Sequence, residues 1–390
     1  MSLVHSDLAL AAIDLGWLCV ALSICGAIYA CVAMACVRSF MARPLPPASR
    51  FPSVTLLKPL HGDERGLLEN LEAFCAQDYP GPVQVIFGVH GASDPAIAVV
   101  ETLKRRHPAL DIDLVVDTRL HGANRKISNL LNMLPRVAHE VVVLSDSDIG
   151  VEPDYLRKVT ASLEQPGVGV VSCLYVGHGS GGIWSKLSAL GVNHHFLPNA
   201  VLGMRFGLAE PCFGATIAIP RKVLEEMDGL GAFSNHLADD YEIGREIRRR
   251  GYKLAMPPIA VTHTCSEASA RQLIDHELRW SRTIRLIDGP GYAGSLITHP
   301  LPLAILGAAM TNLAPEAVGM VAVAVAVRLS VAMTVDRATG ARPEPWRLII
   351  ARDMLSFAVF VAAFFVGGVS WQGRSFRVES DGLLIPIEEN

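Results

Sequence analysis

An uninterrupted run of 23 uncharged residues, Leu15 to Val37, constrains this chain more than any other feature. At about 1.5 Å of helix rise per residue it is long enough to cross a hydrocarbon core of roughly 30 Å. Positive charges come after the run, at Arg38, Arg43 and Arg50, rather than before it. The run is also too long for the apolar core of a cleaved signal peptide, so it reads as a retained N-terminal anchor. By the positive-inside rule the same arginines place the N-terminus outside and the chain beyond the anchor in the cytosol, at an inner (cytoplasmic) membrane. Composition agrees with an integral membrane protein, since 51% of the residues are hydrophobic and only 18% charged. A formal net charge of -4 with scattered Lys and Arg leaves no basic stripe to track a phosphate backbone, so no nucleic-acid partner is expected. Of the eight cysteines, Cys19, Cys25, Cys31 and Cys36 lie inside the apolar run, and the other four have no C-x-x-C spacing. They read as reduced thiols.

The prolines of Arg43-Pro44-Leu45-Pro46-Pro47 read as a stiff linker, after which the pattern changes. From Ser53 to about Pro257 short apolar runs alternate with helical patterns. The strand candidates are SVTLLKP, VQVIFGV, IDLVV, EVVVLSD, VGVVSCLYV and ATIAIP. The helix candidates are Leu67 to Gln77, Pro95 to Arg106, Asn124 to Leu134, Tyr155 to Leu163 and Leu237 to Arg250. This alternation predicts an α/β domain with a mainly parallel sheet. Beyond Asp288 no charge appears until Glu316; AVGMVAVAVAV then leads through Arg328 to Val335, and Met354 to Gly373 is again uncharged. Two to three further membrane segments are expected, with the arginine-rich DRATGARPEPWRLIIARD between them on the cytosolic side. Hydropathy leaves open whether the last run crosses fully or re-enters. The expected organisation is therefore an anchor at 1–42, a catalytic domain at 51–290, a C-terminal transmembrane region at 291–371 and a basic tail at 372–390.

Chemistry is concentrated at strand ends. Asp146 and Asp148 of Ser-Asp-Ser-Asp come directly after the apolar strand VVVL, where two carboxylates one residue apart suit a hard divalent cation, Mg2+ or Mn2+, bound against a diphosphate. The blander reading is a turn capped by Asp and Ser. Asp94 comes after VIFGV and suits a nucleotide contact; before Pro95 it is equally a helix N-cap. Asp240 of Ala-Asp-Asp-Tyr opens a helix and is the candidate base for the acceptor hydroxyl, although two acids there also complement a helix dipole. His276-Glu277-Leu278-Arg279-Trp280 puts a guanidinium beside an indole, suited to gripping a departing diphosphate, or else to anchoring at the membrane boundary. Lys126, in Asn124-Arg125-Lys126 after Gly122, stands at a helix start that suits phosphate. His194 and His195 are adjacent, a pattern more often of packing than of ligation.

Taken in order, these sites resemble the D, D, D, (Q/R)-x-x-R-W pattern of family-2-type inverting glycosyltransferases with a GT-A (nucleotide-diphospho-sugar transferase) fold. KPLHGDERGLLENLEAFCAQDYP, DPAI, NRKISNL, ADDY and the WQGRSFRV tail are similar to the ceramide glucosyltransferase group. WSKLSALGVNHHFLPNA is similar to the bacterial hopanoid-associated glycosyltransferases, which are believed to add N-acetylglucosamine to a hopanoid polyol. The resemblance implies that Asp94 contacts the donor nucleotide, that Asp146 and Asp148 form the metal and sugar-nucleotide site, that Asp240 is the base and that Arg279 and Trp280 are the R-W pair. His276 stands where that pattern has Gln or Arg. The expected activity is transfer of glucose or N-acetylglucosamine from a UDP-sugar to the hydroxyl of a membrane lipid, ceramide or a hopanoid polyol, with inversion. A processive polysaccharide synthase and a catalytically silent membrane scaffold are the rivals. The first would need a polymer channel, and the second would bind no nucleotide sugar.

Overall fold

A computed structural model describes residues 2–365, 369–371, 374–378 and 383–386 of the 390. The chain divides into two compact units, neither continuous in sequence. One comprises Arg43–Gly181, Glu210–Ser266 and Gly368–Asn390; the other comprises Met1–Ala42, Gly182–Ala209 and Glu267–Gly367.

The first unit is the α/β body. Its strands are β1 (Val54–Pro59), β2 (Val83–Val89), β3 (Asp111–Val116), β4 (Val141–Leu144), β5 (Ile149–Gly150), β6 (Val168–Ser172), β7 (Leu174–Gly179), β8 (Ile217–Pro220), β9 (Lys253–Ala255) and β10 (Ala260–Cys265). Seven form one sheet in the order β3-β2-β1-β4-β8-β6-β9, and β5-β10-β7 form a small second sheet. In the large sheet β1, β2, β3 and β4 run parallel, as does β6 with β9, while β8 runs antiparallel to both neighbours. The expected alternation is thus present with one reversed strand. Val54, Leu56, Leu57, Val85, Phe87 and Val143 are fully buried, because helices cover both faces of a parallel sheet.

VGVVSCLYV, read as one strand, is two. At Cys173 the chain leaves β8 and moves to β10, so β6 and β7 lie in different sheets. Continuous hydrophobicity cannot reveal that change of partner, since both halves are buried. The helices fall close to expectation, at Leu67–Cys75, Ala96–Arg106, Arg125–Met133, Tyr155–Leu163 and Asp239–Arg249. Of the WQGRSFRV tail, Gln372 and Gly373 lie outside the described residues; 369–371, 374–378 and 384–386 form a three-stranded antiparallel sheet, and Leu383 bridges to His236.

The second unit is helical. Its N-terminal helix runs Ser2–Met41, of which Leu10–Met41 is long and apolar enough to span a membrane, as is Pro315–Thr339. Gly289–Thr298 and Pro300–Met310 together would make a third span, bent by 67°. The 15-residue helix Leu348–Ala362 falls short of that length. Small residues let these helices approach closely: a Cβ on Gly26 would stand 2.3 Å from the Ile297 carbonyl oxygen, and one on Gly307 2.7 Å from Val20. Ser23 Oγ donates to the Pro300 carbonyl at 2.7 Å, joining the first helix to the bent pair. The NHH segment forms one π-helical turn, Val192–Phe196, between helices Ile183–Gly191 and Leu197–Arg205.

Candidate functional site

β4 is four buried residues long, and the chain emerges from its carboxyl end as Ser145-Asp146-Ser147-Asp148. Lys58, at the end of β1, lies fully buried beneath this turn. Its ammonium donates to the Asp146 carbonyl at 2.5 Å and to Ser145 Oγ at 3.2 Å, 3.8 Å from the centre of the Phe74 ring. Burial pushes Lys58 down to about 7, against the pull of Asp146, Asp148 and Glu64. From above, Ser147 Oγ donates to Glu64 at 2.5 Å. The backbone N–H of Thr264, on β10, donates to the Asp148 carbonyl at 2.8 Å. The turn is therefore clamped from three sides, which leaves its two carboxylates with little freedom of position.

Those carboxylates have different partners. Asp146 Oδ1 lies 2.5 Å from Lys126 Nζ. Asp148 Oδ2 lies 3.1 Å from His263 Nε2. Burial raises Asp146 above the usual carboxylate range, opposed chiefly by Lys126. Asp148 is also disfavoured by burial, but the charge and hydrogen bond of His263 outweigh it and hold Asp148 low. His263 is correspondingly raised: burial opposes the charged ring, and Asp148 more than compensates.

Lys126 reaches this point from the first turn of helix Arg125–Met133. Asn124 caps that helix, its side-chain oxygen accepting from Ile127 N at 3.0 Å, while its amide donates to Asp239 Oδ1 at 3.2 Å. Lys126 Nζ is also 3.7 Å from Asp239 Oδ2. Three carboxylates, on Asp146, Asp239 and Asp240, raise the ammonium well above its ordinary value despite burial, so it stays charged. Asp240 is fixed by two backbone donors, Gly214 N to Oδ2 at 2.9 Å and Tyr241 N to Oδ1 at 2.8 Å. Burial and then the charge of Asp239 push Asp240 up to about 6, against Lys126 and the two N–H groups. A side chain at Gly214 would crowd the site: a Cβ there would stand 2.9 Å from both Asp146 Oδ2 and Lys126 Nζ, and 3.6 Å from Asp240 Oδ2, so these side-chain ends would have to shift. Asp146, Lys126 and Asp240 thus converge around one glycine. Asp239, Asp240 and Glu242 also occupy the first turn of helix Asp239–Arg249, so the dipole reading holds alongside.

Asp94 serves the neighbouring strand end. Its carboxylate accepts from Ala96 N at 2.9 Å, starting the next helix, and from Gly62 N at 3.0 Å, holding the loop after β1. His61 Nδ1 lies 3.6 Å from Oδ2. In the helical unit, His276, Arg279 and Trp280 sit on helix Ala270–Ile287, which Ser269 caps by accepting from Gln272 N at 3.3 Å. The His276 and Trp280 rings, four residues apart on that helix, meet edge to face at 4.4 Å. His194 and His195 are packed within the same unit: His194 Nε2 is 2.7 Å from Asp336 Oδ1, and His195 stacks on His299 at 4.8 Å.

Lys58, Glu64 and Asp239, which lie within the quoted motifs without an assigned role, join the site, as do Gly214 and His263 from outside them. Lys58 carries a signal in the sequence, a lysine ending an apolar strand. His263 carries little, because AVTHTC is too short an alternation to mark a strand.

The donor set fits a divalent cation. Asp146 and Asp148 offer carboxylate oxygens from one rigid turn, and Gly214 keeps the space beside Asp146 Oδ2 open. Among the described residues no three His, Cys, Asp or Glu side chains converge on one point as metal ligands. Two protein carboxylates are what a Mg2+-type ion needs when diphosphate oxygens and waters complete its shell.

Comparison with known proteins bears on what this arrangement serves. The model of glycosyl transferase family 21 matches residues 18–384. Ceramide glucosyltransferase 3 of Caenorhabditis elegans is 26% identical over 235 residues, 60% of this chain and 50% of that protein. An N-acetylglucosaminyltransferase of Azorhizobium caulinodans is 22% identical over 245 residues, 60% of this chain and 59% of its own length. The chain spans about half the length of the curated ceramide glucosyltransferases from Caenorhabditis elegans that it matches. Among solved structures, a mannosyltransferase from Pyrobaculum calidifontis in complex with GDP-Man and Mn2+ has the same fold, with a TM-score of 0.51 at 21% identity, covering 90% of this chain and 99% of that one.

Proposed function

The chain belongs to glycosyl transferase family 21, and from that premise we propose that it transfers a hexose from a UDP-sugar to the hydroxyl of a membrane lipid. The observation that carries this reading is the convergence of Asp146, Lys126 and Asp240 around Gly214 at the carboxyl ends of parallel strands. That grouping sets a diphosphate-binding cation and acid beside a carboxylate adapted to take a proton.

In this mechanism Asp240, ionised above a pH of about 6, accepts the proton of the lipid hydroxyl as its oxygen attacks the anomeric carbon. The two backbone donors fix its oxygens for that transfer. Lys126, permanently charged, balances Asp146 and contributes positive charge toward the departing diphosphate. Asp94 contacts the donor nucleotide. A Mg2+ or Mn2+ ion held by Asp146 and Asp148 supplies further charge neutralisation when bound. Arg279, Trp280 and His276 carry their proposed roles on the motif: Arg279 and His276 toward the diphosphate, and Trp280 toward the acceptor. One displacement gives inversion, so an α-linked donor yields a β-linked lipid. The sugar is glucose or N-acetylglucosamine and the lipid ceramide or a hopanoid polyol, with the site facing the cytosol.

The test is product formation by the purified chain in detergent with Mg2+ or Mn2+, offering UDP-glucose and UDP-N-acetylglucosamine against ceramide and a hopanoid polyol, beside Asp240→Asn. A β-linked product from one pairing, lost in the variant, is expected. Donor binding without product from any pairing would move the acceptor elsewhere, and a retained α-linkage would remove the single-displacement mechanism.

A further inference from the structure

Inside the helical unit a small recess is lined by polar side chains that the proposed mechanism does not use. The first helix contributes Gly26, Ala30 and Ala33, spaced i, i+4 and i+7 on one buried face, so no large side chain fills the space. The π-helical turn Val192–Phe196 contributes His194, and the helix that follows contributes Asn199. The recess measures about 10 Å³, which is room for one water-sized group such as a hydroxyl.

His194 is 3% exposed. Its Nε2 lies 2.7 Å from Asp336 Oδ1, and because an ionised carboxylate only accepts, that nitrogen carries a proton. In the neutral ring the lone pair is then on Nδ1, which is buried with no hydrogen-bond partner among the described residues. Other groups at the recess do not complete it. Arg328 spends its guanidinium on both oxygens of Asp353, at 2.6 and 2.8 Å, and the His195 ring stacks on His299. An unmet buried acceptor is costly, and the cost grows where no water can reach it. A ligand that donates a hydrogen bond would remove it. Tyr29 and Asn199 also line the recess and are partly exposed, so the space is not sealed.

Its walls include the two helices long and apolar enough to span a membrane, in the halves that lead to Met41 and Thr339. Arg38, Arg43, Arg337 and Arg342 flank those ends, so the positive-inside reading sets the recess in the cytosolic leaflet. A donor that reaches a leaflet is carried by a lipid, and acyl tails have none. We propose that the recess binds a hydroxyl of the membrane-lipid acceptor, other than the one that receives the sugar, with His194 Nδ1 accepting its hydrogen bond. His194 is then a specificity-determining residue, and Asp336 the residue that fixes its tautomer. This deepens the reading above and rests on its lipid acceptor. Ceramide and a hopanoid polyol both carry more than one hydroxyl, as the site requires.

Binding of radiolabelled ceramide and hopanoid polyol to the full chain in detergent tests the site, each lipid beside a form with its hydroxyls methylated. His194→Gln keeps a polar group at the Nε2 position toward Asp336 and loses the one at Nδ1, whereas His194→Asn keeps the Nδ1 position. The unaltered chain is expected to prefer the free hydroxyl form of one lipid about tenfold, the worth of one good hydrogen bond. His194→Gln should cut that preference below about twofold and His194→Asn should retain it, a pattern that a packing histidine would not give. No preference in the unaltered chain, or an equal one in His194→Gln, would leave the recess to a resident water and overturn the site, while product formation would still uphold the proposed function. Loss of preference in both variants with a lowered Tm would assign His194 to structure and overturn it equally. An unaltered chain that binds neither lipid in any form would overturn both the site and the lipid acceptor.

Discussion

At the scale of single residues the site turns on how unlike its carboxylates are. Asp146 and Asp148 are two residues apart, yet one faces an ammonium and the other an imidazole, while Asp240 is pushed up to about 6. If Asp240 is the base, kcat/KM should rise through pH 6 to a plateau, because the ionised form is the working one and a raised pKa moves its loss on acidification toward neutrality. Asp240→Asn should abolish that limb and lower kcat about 10²–10⁴-fold. It should not lower Tm: an Asp whose folded pKa is raised favours folding most at low pH and loses that contribution as pH rises through about 6, so at pH 7 the neutral Asn removes a cost. A parallel fall of Tm and activity in that variant would assign Asp240 to structure instead. Gly214→Ala is the complementary probe. Its methyl would displace the Asp146–Lys126 contact, and weaker Mn2+-dependent donor binding with unchanged Tm is the expected outcome. Asp146, Asp148 and Asp94 are legible in the sequence because strand ends are legible, and Asp240 because an acidic helix start is. Lys58 and Asp239 lie within quoted motifs, but their pairing with this site, like that of His263, comes from long-range contacts that no local spacing encodes.

Among the elements, those with strong periodicity can be read nearly to the residue, Tyr155–Leu163 being one. Misreadings arise where pairing rather than propensity decides, as at Cys173, where one apolar run serves two sheets, and at β9 and β10, whose short alternation gives too weak a signal. The helix bearing Arg279 and Trp280 shows the same limit. Its position depends on Arg352, which grips Glu277 through both guanidinium nitrogens, donates to the Leu187 carbonyl at 3.2 Å and to Ser356 at 3.0 Å. A Cβ on Gly191 would stand 2.7 Å from the Arg352 guanidinium carbon, so the close approach of this arginine requires glycine there. Removing one partner of such a buried pair costs about 3–5 kcal/mol, because the other charge is stranded. Arg352→Met and Glu277→Gln should each lower Tm in detergent by several degrees, and the double variant should recover part of the loss. Additive losses would show that the pair is not coupled.

For the molecule as a whole, the described helices sharpen the topology that charge alone leaves open. If the N-terminus is outside, as the positive-inside rule proposes from Arg43 and Arg50, the span Leu10–Met41 would deliver the chain to the cytosol. If the bent pair Gly289–Thr298 and Pro300–Met310 re-entered, the helix Pro315–Thr339 would carry Arg337, Arg342 and Arg347 outward. If the pair is one crossing, the same arginines finish in the cytosol, which the positive-inside rule favours. Arg328 and Arg352 do not enter this count, because each is buried against a carboxylate. Leu348–Ala362 would then start from the cytosol, and its 15 residues at about 1.5 Å each fall short, by themselves, of a core of roughly 30 Å. A cytosolic tail also suits the bridge between Leu383 and His236 within the α/β unit. With the bent pair as one crossing, the described helices supply three spans. In a chain with Cys25, Cys31 and Cys36 replaced by serine, a membrane-impermeant maleimide should label Leu313→Cys in intact cells, and label Arg342→Cys only after permeabilisation. The reverse pattern would make the bent pair a re-entrant loop and put the arginine loop outside, against the charge rule on which the cytosolic placement of the site depends.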